Sequence, residues 1–164
     1  MSKFTIIQDT KEKRPWCFDL YSSCAGVIKQ GMKTGDYTIE GMEDVVCIER
    51  KHSSGELYNN CFKWYDRFKR EMERMTEFEY AYIVCEFSKE TLLEFPRGSG
   101  IPNKKIYTKN GPKCMWNLLR YTGLDILNKL ELFEERYGVE IIFCPDRLAA
   151  QDTAVEILEN IYGI

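Results

Sequence analysis

"GDYTIEGMEDVVCIERK", residues 35–51, carries two short apolar runs, "DYTIE" (36–40) and "DVVCIER" (44–50), on either side of a glycine at position 41. Runs of that length around a Gly turn predict two strands of an antiparallel hairpin. Side chains two apart on a strand share a face, so Glu49 and Lys51 project together while Arg50 projects the other way. Pairing of the two strands brings Asp36, at the start of the first, toward Glu49 near the end of the second. Mg2+ takes one or two carboxylates plus waters and phosphate oxygens, which suits so sparse a set, with Mn2+ as a substitute. Such a cation lowers the pKa of a bound water and clamps phosphate oxygens, as phosphodiester hydrolysis requires. Lys51 then orients the water or holds the scissile phosphate.

Outward from this hairpin, "FTIIQ" (4–8) predicts a buried strand that ends at Asp9, and residues 19–35 fit either a helical turn or a strand. Leu57, Cys61, Trp64, Phe68, Met72 and Met75 recur at helical spacing, predicting one helix over 56–76 with Lys63, Arg67, Lys69, Arg70 and Arg74 on its other faces. "AYIVCEF" (81–87) predicts a strand covered on both sides, and Ser88 the cap of a short helix before Pro96. A Gly-, Pro- and Lys-rich loop follows, a basic insertion at about 95–113, and Pro112 suits the first turn of a helix through about Tyr121. A helix over 124–137 stopped by Gly138, a strand "VEIIFC" and a helix over 148–161 complete the pattern. Strands alternating with helices around one hairpin imply an α/β fold with a mixed central sheet flanked by helices.

With 164 residues, 44% apolar and 13% aromatic, the chain suits a single domain over 1–164. No stretch is long and apolar enough to span a bilayer, and the N-terminus lacks a signal-peptide pattern, so the expected location is cytoplasmic, not secreted. Seven cysteines include no CxxC pair, and the one histidine, His52, has no partner for a zinc site. Net charge is −3, yet residues 1–124 carry 20 bases against 17 acids and the remainder 3 against 9. From 95 to 124 there are six basic residues (Arg97, Lys104, Lys105, Lys109, Lys113, Arg120) and no acid. A basic stretch of this kind is usually solvated surface, so the distribution permits nucleic-acid binding without requiring it.

The residues together resemble the XPF-type structure-specific nuclease domain, a branch of the PD-(D/E)xK nucleases with a restriction-endonuclease-like core. Gly35-Asp36 and Glu49-Arg50-Lys51 match its Gly-Asp and Glu-Arg-Lys motif, and "DTKE" supplies Asp9 and Glu12 where the family has an Asp and a Glu after its first strand. "DRFKREMERM" resembles the following helix with Arg67 in its arginine position, "YAYIVCEF" the next strand, and "RYGVEIIFCPD" the last strand. Only about 95–122 lacks a counterpart, and Gly55, followed by Glu56, stands where the family has an Asp. The resemblance implies a divalent-metal-dependent DNA endonuclease selective for branched or flapped duplexes in repair, recombination or replication. By that likeness Asp9, Asp36 and Glu49 hold Mg2+, and Lys51, Arg50 and Glu12 complete the catalytic set. A non-catalytic binding module of the same fold is the alternative. Arg50 fits either a direct role or an ion pair behind the sheet, and Arg67 and Arg70 either DNA contact or a wet helix face. Arg67, Arg70, Lys104, Lys105 and Lys109 are the candidate phosphate contacts. The family's helix-hairpin-helix domain has no match in the sequence, so the expected partners are branched DNA and either a second copy or another protein that supplies DNA binding.

Overall fold

The structure, a computed structural model, describes residues 2–164. Its central sheet has six strands: β1 (Phe4–Gln8), β2 (Cys24–Lys29), β3 (Tyr37–Ile39), β4 (Val46–Lys51), β5 (Tyr80–Cys85) and, after a separate hairpin of β6 (Lys105–Thr108) and β7 (Gly111–Cys114), β8 (Glu140–Phe143). The spatial order is β2-β1-β3-β4-β5-β8. β1 runs parallel to β2 and antiparallel to β3, β3 antiparallel to β4, and β4, β5 and β8 are mutually parallel. The sheet is therefore mixed, and the segment left open between 19 and 35 contributes its edge strand.

Strand alternation sorts the core into two halves. On one face Cys47, Ile83 and Cys85 pack with Leu57 of α1 (Ser54–Tyr58), Phe68, Met72 and Met75 of α2 (Tyr65–Met75), and Ile126, Leu130 and Phe133 of α4 (Gly123–Tyr137). On the other, Ile6, Tyr37, Ile39, Val46, Ile48 and Val84 pack with Ala150, Ala154, Val155 and Leu158 of α5 (Arg147–Tyr162) and with Trp16 and Phe18. α3 (Lys89–Leu93) starts at the Ser88 cap, as expected. α4 starts with a capping box between Thr122 and Asp125 and stops at Gly138, whose φ of 66° is one that only glycine adopts freely.

Three expectations need correction. The helix over 56–76 is not continuous: α1 gives way to a π-helical turn over Asn59–Lys63, and Trp64 (φ −119°, ψ 39°) breaks the chain before α2 begins. The wide turn swings Trp64 off the apolar stripe to 46% exposure, while Cys61 and Phe68 stay buried. The basic insertion is not structureless, since β6 and β7 pair antiparallel around Lys109–Asn110, with Gly111 at φ 95°. Asn110-Gly111 is a hairpin signal that the surrounding Pro, Gly and Lys content obscures. Pro112 starts no helix. It lies in β7 opposite Tyr107, tolerated because both strands of an isolated hairpin are edges, and only a 3-10 turn over Met115–Leu118 precedes Leu119.

Candidate active site

β1, β3 and β4 end at a cleft of about 390 Å³ lined by Asp9, Lys11, Lys33, Asp36, Glu49, Lys51, Glu56, Arg67, Glu71 and Arg74, among others. Backbone pairing at the strand ends builds it: the Asp9 N–H donates to the Asp36 carbonyl at 2.8 Å, and the Asp36 N–H to the Ile48 carbonyl at 2.8 Å. The Asp36 carboxylate accepts the Arg50 N–H at 2.8 Å, which ties the first motif to the second. Of the residues picked out from the sequence, the structure thus brings Asp9, Asp36, Glu49, Lys51 and Arg67 around one space.

Lys51 is 3% exposed at its side chain and donates to Glu49 at 3.0 Å, with Glu56 at 3.7 Å and the Phe68 ring beneath it. Burial disfavours its charge, but Glu49, Glu71 and Glu56 more than reverse that, so Lys51 holds its proton well above the ordinary lysine range. Burial is also the main reason Asp36 is pushed up to about 7; the Arg50 N–H and Lys51 pull the other way, and Glu12 and Glu71 add to the rise. Glu49 is likewise raised by burial and by the charges of Asp36 and Glu71, against Lys51. Two carboxylates short of positive charge face a cleft that already holds one fixed ammonium.

Among the described residues, no three His, Cys, Asp or Glu side chains are grouped to hold a metal ion. The expected trio of Asp9, Asp36 and Glu49 is therefore not preassembled, and Asp9 spends one carboxylate oxygen on the Met32 N–H at 2.9 Å. The pair Asp36 and Glu49 still fits Mg2+, which needs only one or two carboxylates beside waters and phosphate oxygens.

Arg50 and Glu12 line an adjoining cavity that shares Asp36, Glu49 and Glu56 with the cleft. There the Arg50 guanidinium grips Glu12 at 2.8 and 3.0 Å and reaches Glu86 at 3.0 Å. Glu86 also accepts from Trp16 Nε1 at 2.8 Å and Arg147 at 3.2 Å. Burial pushes the Glu12 carboxyl up, but the Arg50 hydrogen bonds, the Arg14 N–H and the Arg50 charge together hold it below the usual carboxylate range. Both residues of the expected catalytic set thus sit in a structural ion-pair network, not on the Lys51 side of β4.

Gly55 explains itself sterically. A Cβ there would lie 2.5 Å from the Ser99 carbonyl oxygen, so the site cannot take an Asp without displacing the 99–101 segment. Glu56, next along, points into the cleft and bridges Lys51 to His52, whose Nδ1 lies 2.6 Å away. Of the candidate phosphate contacts only Arg67 lines the cleft; Arg70 is exposed on α2 outside it, and Lys104, Lys105 and Lys109 belong to the β6–β7 hairpin. Glu71, Lys11 and Lys33 were not singled out from the sequence, whereas Arg74, one of the basic residues read on the 56–76 helix, lines the cleft as well. Only Glu71 carried a signal, lying four residues after Arg67 on one helix face.

No family model and no curated relative matches the chain. Solved structures do. XPF from Aeropyrum pernix superposes with a TM-score of 0.66 at 16% identity, over 97% of this chain and 65% of that one. XPF from Aeropyrum pernix in complex with DNA gives a TM-score of 0.63 at 17% identity, over 98% of this chain and 65% of that one. The chain thus spans just under two thirds of those proteins. What the likeness establishes is architecture: the six-stranded mixed sheet with its flanking helices is an XPF-like nuclease fold.

Proposed function

We propose that the protein is a divalent-metal-dependent DNA endonuclease that hydrolyses phosphodiester bonds, with branched or flapped duplexes as its preferred substrates. The observation that carries this reading is the meeting of Asp36, Glu49 and a buried Lys51 in one cleft at the strand ends. Asp36 and Glu49 would hold Mg2+ or Mn2+, which supplies a more acidic water and charge for the attacked phosphate. Without a cation in the cleft, its carboxylate neighbours keep the proton on Lys51, which from there would neutralise phosphate charge or orient water by donating a hydrogen bond. Arg67, Lys11, Lys33 and Arg74 line the same cleft and suit phosphate contacts on either side of the reacting bond. Arg50 and Glu12 act by holding the 9–16 segment and the end of β4 in place. The DNA complex of an XPF of this fold supports DNA as the ligand.

The test is cleavage of end-labelled linear, flapped and four-way-junction DNA with Mg2+ or Mn2+, comparing the protein with Asp36→Ala. Metal-dependent cutting of the branched forms, lost in Asp36→Ala, is the expected result. Intact DNA on every substrate, with equal binding by both proteins, would leave a non-catalytic DNA-binding module.

A further inference from the structure

The β6–β7 hairpin stands apart from the central sheet and takes no part in the cleft. Register pairs Lys105 with Cys114 and Tyr107 with Pro112, so Lys105, Tyr107 and Pro112 share one face, and all three are exposed. Tyr107 is 88% exposed, the most exposed large hydrophobic side chain among the described residues. Lys105 shares its face, Lys109 sits in the adjoining turn, Lys113 alternates to the opposite face beside Ile106, Lys104 precedes β6, and no acid occurs anywhere from 95 to 124. A protein-facing tyrosine is ordinarily packed on one side; this one is held on a paired ribbon with its ring open to solvent and Lys105 on the same face.

The hairpin is also firmly seated. Met115 N–H donates to the Lys104 carbonyl at 2.9 Å, closing its base, and Trp116 Nε1 donates to the Ile101 carbonyl at 2.8 Å. The 99–101 segment is fastened to α1 through the Gly55 N–H and Ser99 carbonyl at 3.2 Å, and Tyr58 stacks on Phe95 with ring centres 4.9 Å apart. α1 carries Glu56 of the cleft. Trp64 lines both the cleft and the neighbouring hollow formed by His52, Glu56, Ser99 and Ile101.

We infer that this hairpin is a second nucleic-acid contact that takes an unpaired DNA strand, with Tyr107 stacking on a base and the lysines meeting phosphates. Duplex DNA keeps its base faces covered, so an open aromatic ring with Lys105 beside it selects the single-stranded part of a branched substrate. Trp64 gives a strand leaving the cleft an apolar surface. The inference deepens the nuclease reading and rests on it for what lies in the cleft, but the hairpin's own binding is measurable without any cutting.

The experiment is fluorescence anisotropy of a labelled oligothymidylate with the full chain in EDTA, for wild type, Tyr107→Phe, Tyr107→Ala and the Lys105→Ala/Lys109→Ala double variant. Tyr107→Ala is expected to weaken binding by roughly five- to a hundredfold, and Tyr107→Phe to keep most of it. The double variant is expected to lower the slope of log affinity against log salt by about 1.4. Tyr107 is too exposed for its loss to unfold the chain, and circular dichroism checks that. Equal binding by wild type and Tyr107→Ala, or no binding by wild type, overturns the inference. Failure of the nuclease reading looks different: DNA stays uncut while Tyr107-dependent binding persists.

Discussion

Arg50 shows how one side chain fastens the site without entering it. Its guanidinium, 7% exposed, lies between Glu12 and Glu86, at 5% and 7%. Arg50→Ala would strand two buried acids, and a loss of about 3–5 kcal/mol is expected in chemical denaturation, with Glu86→Gln costing less. Asp36 works in the opposite direction. Its carboxyl binds a proton more tightly folded than unfolded, so between the unfolded value of 3.8 and about 7 the folded state holds more protons. Stability of the metal-free protein therefore falls as pH rises through that window. Asp36→Asn removes this dependence and is expected to be more stable than wild type by on the order of 2 kcal/mol at pH 8, and no more stable at pH 4. A wild-type and Asp36→Asn pair melted across that range checks it. Asp36, Glu49 and Lys51 were legible because two strands and their alternation dictate where they point. Glu71 was not, because its position depends on how α2 is rotated.

That rotation is a property of the element. The π-helical turn over Asn59–Lys63 accommodates an extra residue before α2, and a straight helix through 56–76 would turn its later residues by about 100° relative to the observed face. Deleting one residue within the turn is expected to straighten the helix while Arg67, Glu71 and Arg74 keep facing the cleft, read as DNA cutting retained with a helical far-ultraviolet dichroism spectrum. Spacing of apolar residues predicted the helix but not its break, since Trp64 fits the stripe in the sequence and leaves it in space. α1 is constrained from outside as well. Gly55→Ala places a methyl against the Ser99 carbonyl and is expected to cost about 2 kcal/mol, read as a lower denaturant midpoint. Gly55→Asp, though it supplies the Asp that XPF-type nuclease domains carry there, is expected to be no more active in DNA cutting than wild type. The hairpin of β6 and β7 was missed because four-residue strands rich in Lys and Pro carry no apolar period, although Asn110-Gly111 marked its turn.

At the scale of the whole molecule, the cleft and the global fold are linked through charge. Any ion bound between Asp36 and Glu49 in the folded state alone raises stability by mass action. Millimolar Mg2+ is expected to raise the wild-type melting temperature by a few degrees and to leave Asp36→Asn unmoved, as differential scanning fluorimetry would record. The alternation of strands and helices made the overall architecture readable, with boundaries of β1, β4, β5, α4 and α5 close to expectation. What the alternation did not reveal was β2, an edge strand whose burial pattern is mostly exposed and whose sequence gives no clean period. The order of assembly follows from the sheet. Every residue of the cleft lies between 9 and 74, yet the face behind β3 and β4 is closed by α5, residues 147–162. Arg147, at the start of that helix, donates to Glu86 and to the carbonyls of Arg14 and Pro15. A chain emerging from the ribosome thus displays all its cleft residues long before it can hold them in register. On the proposed reading, a polypeptide that stops short of α5 would carry every cleft residue and still lack the support that a cutting site needs.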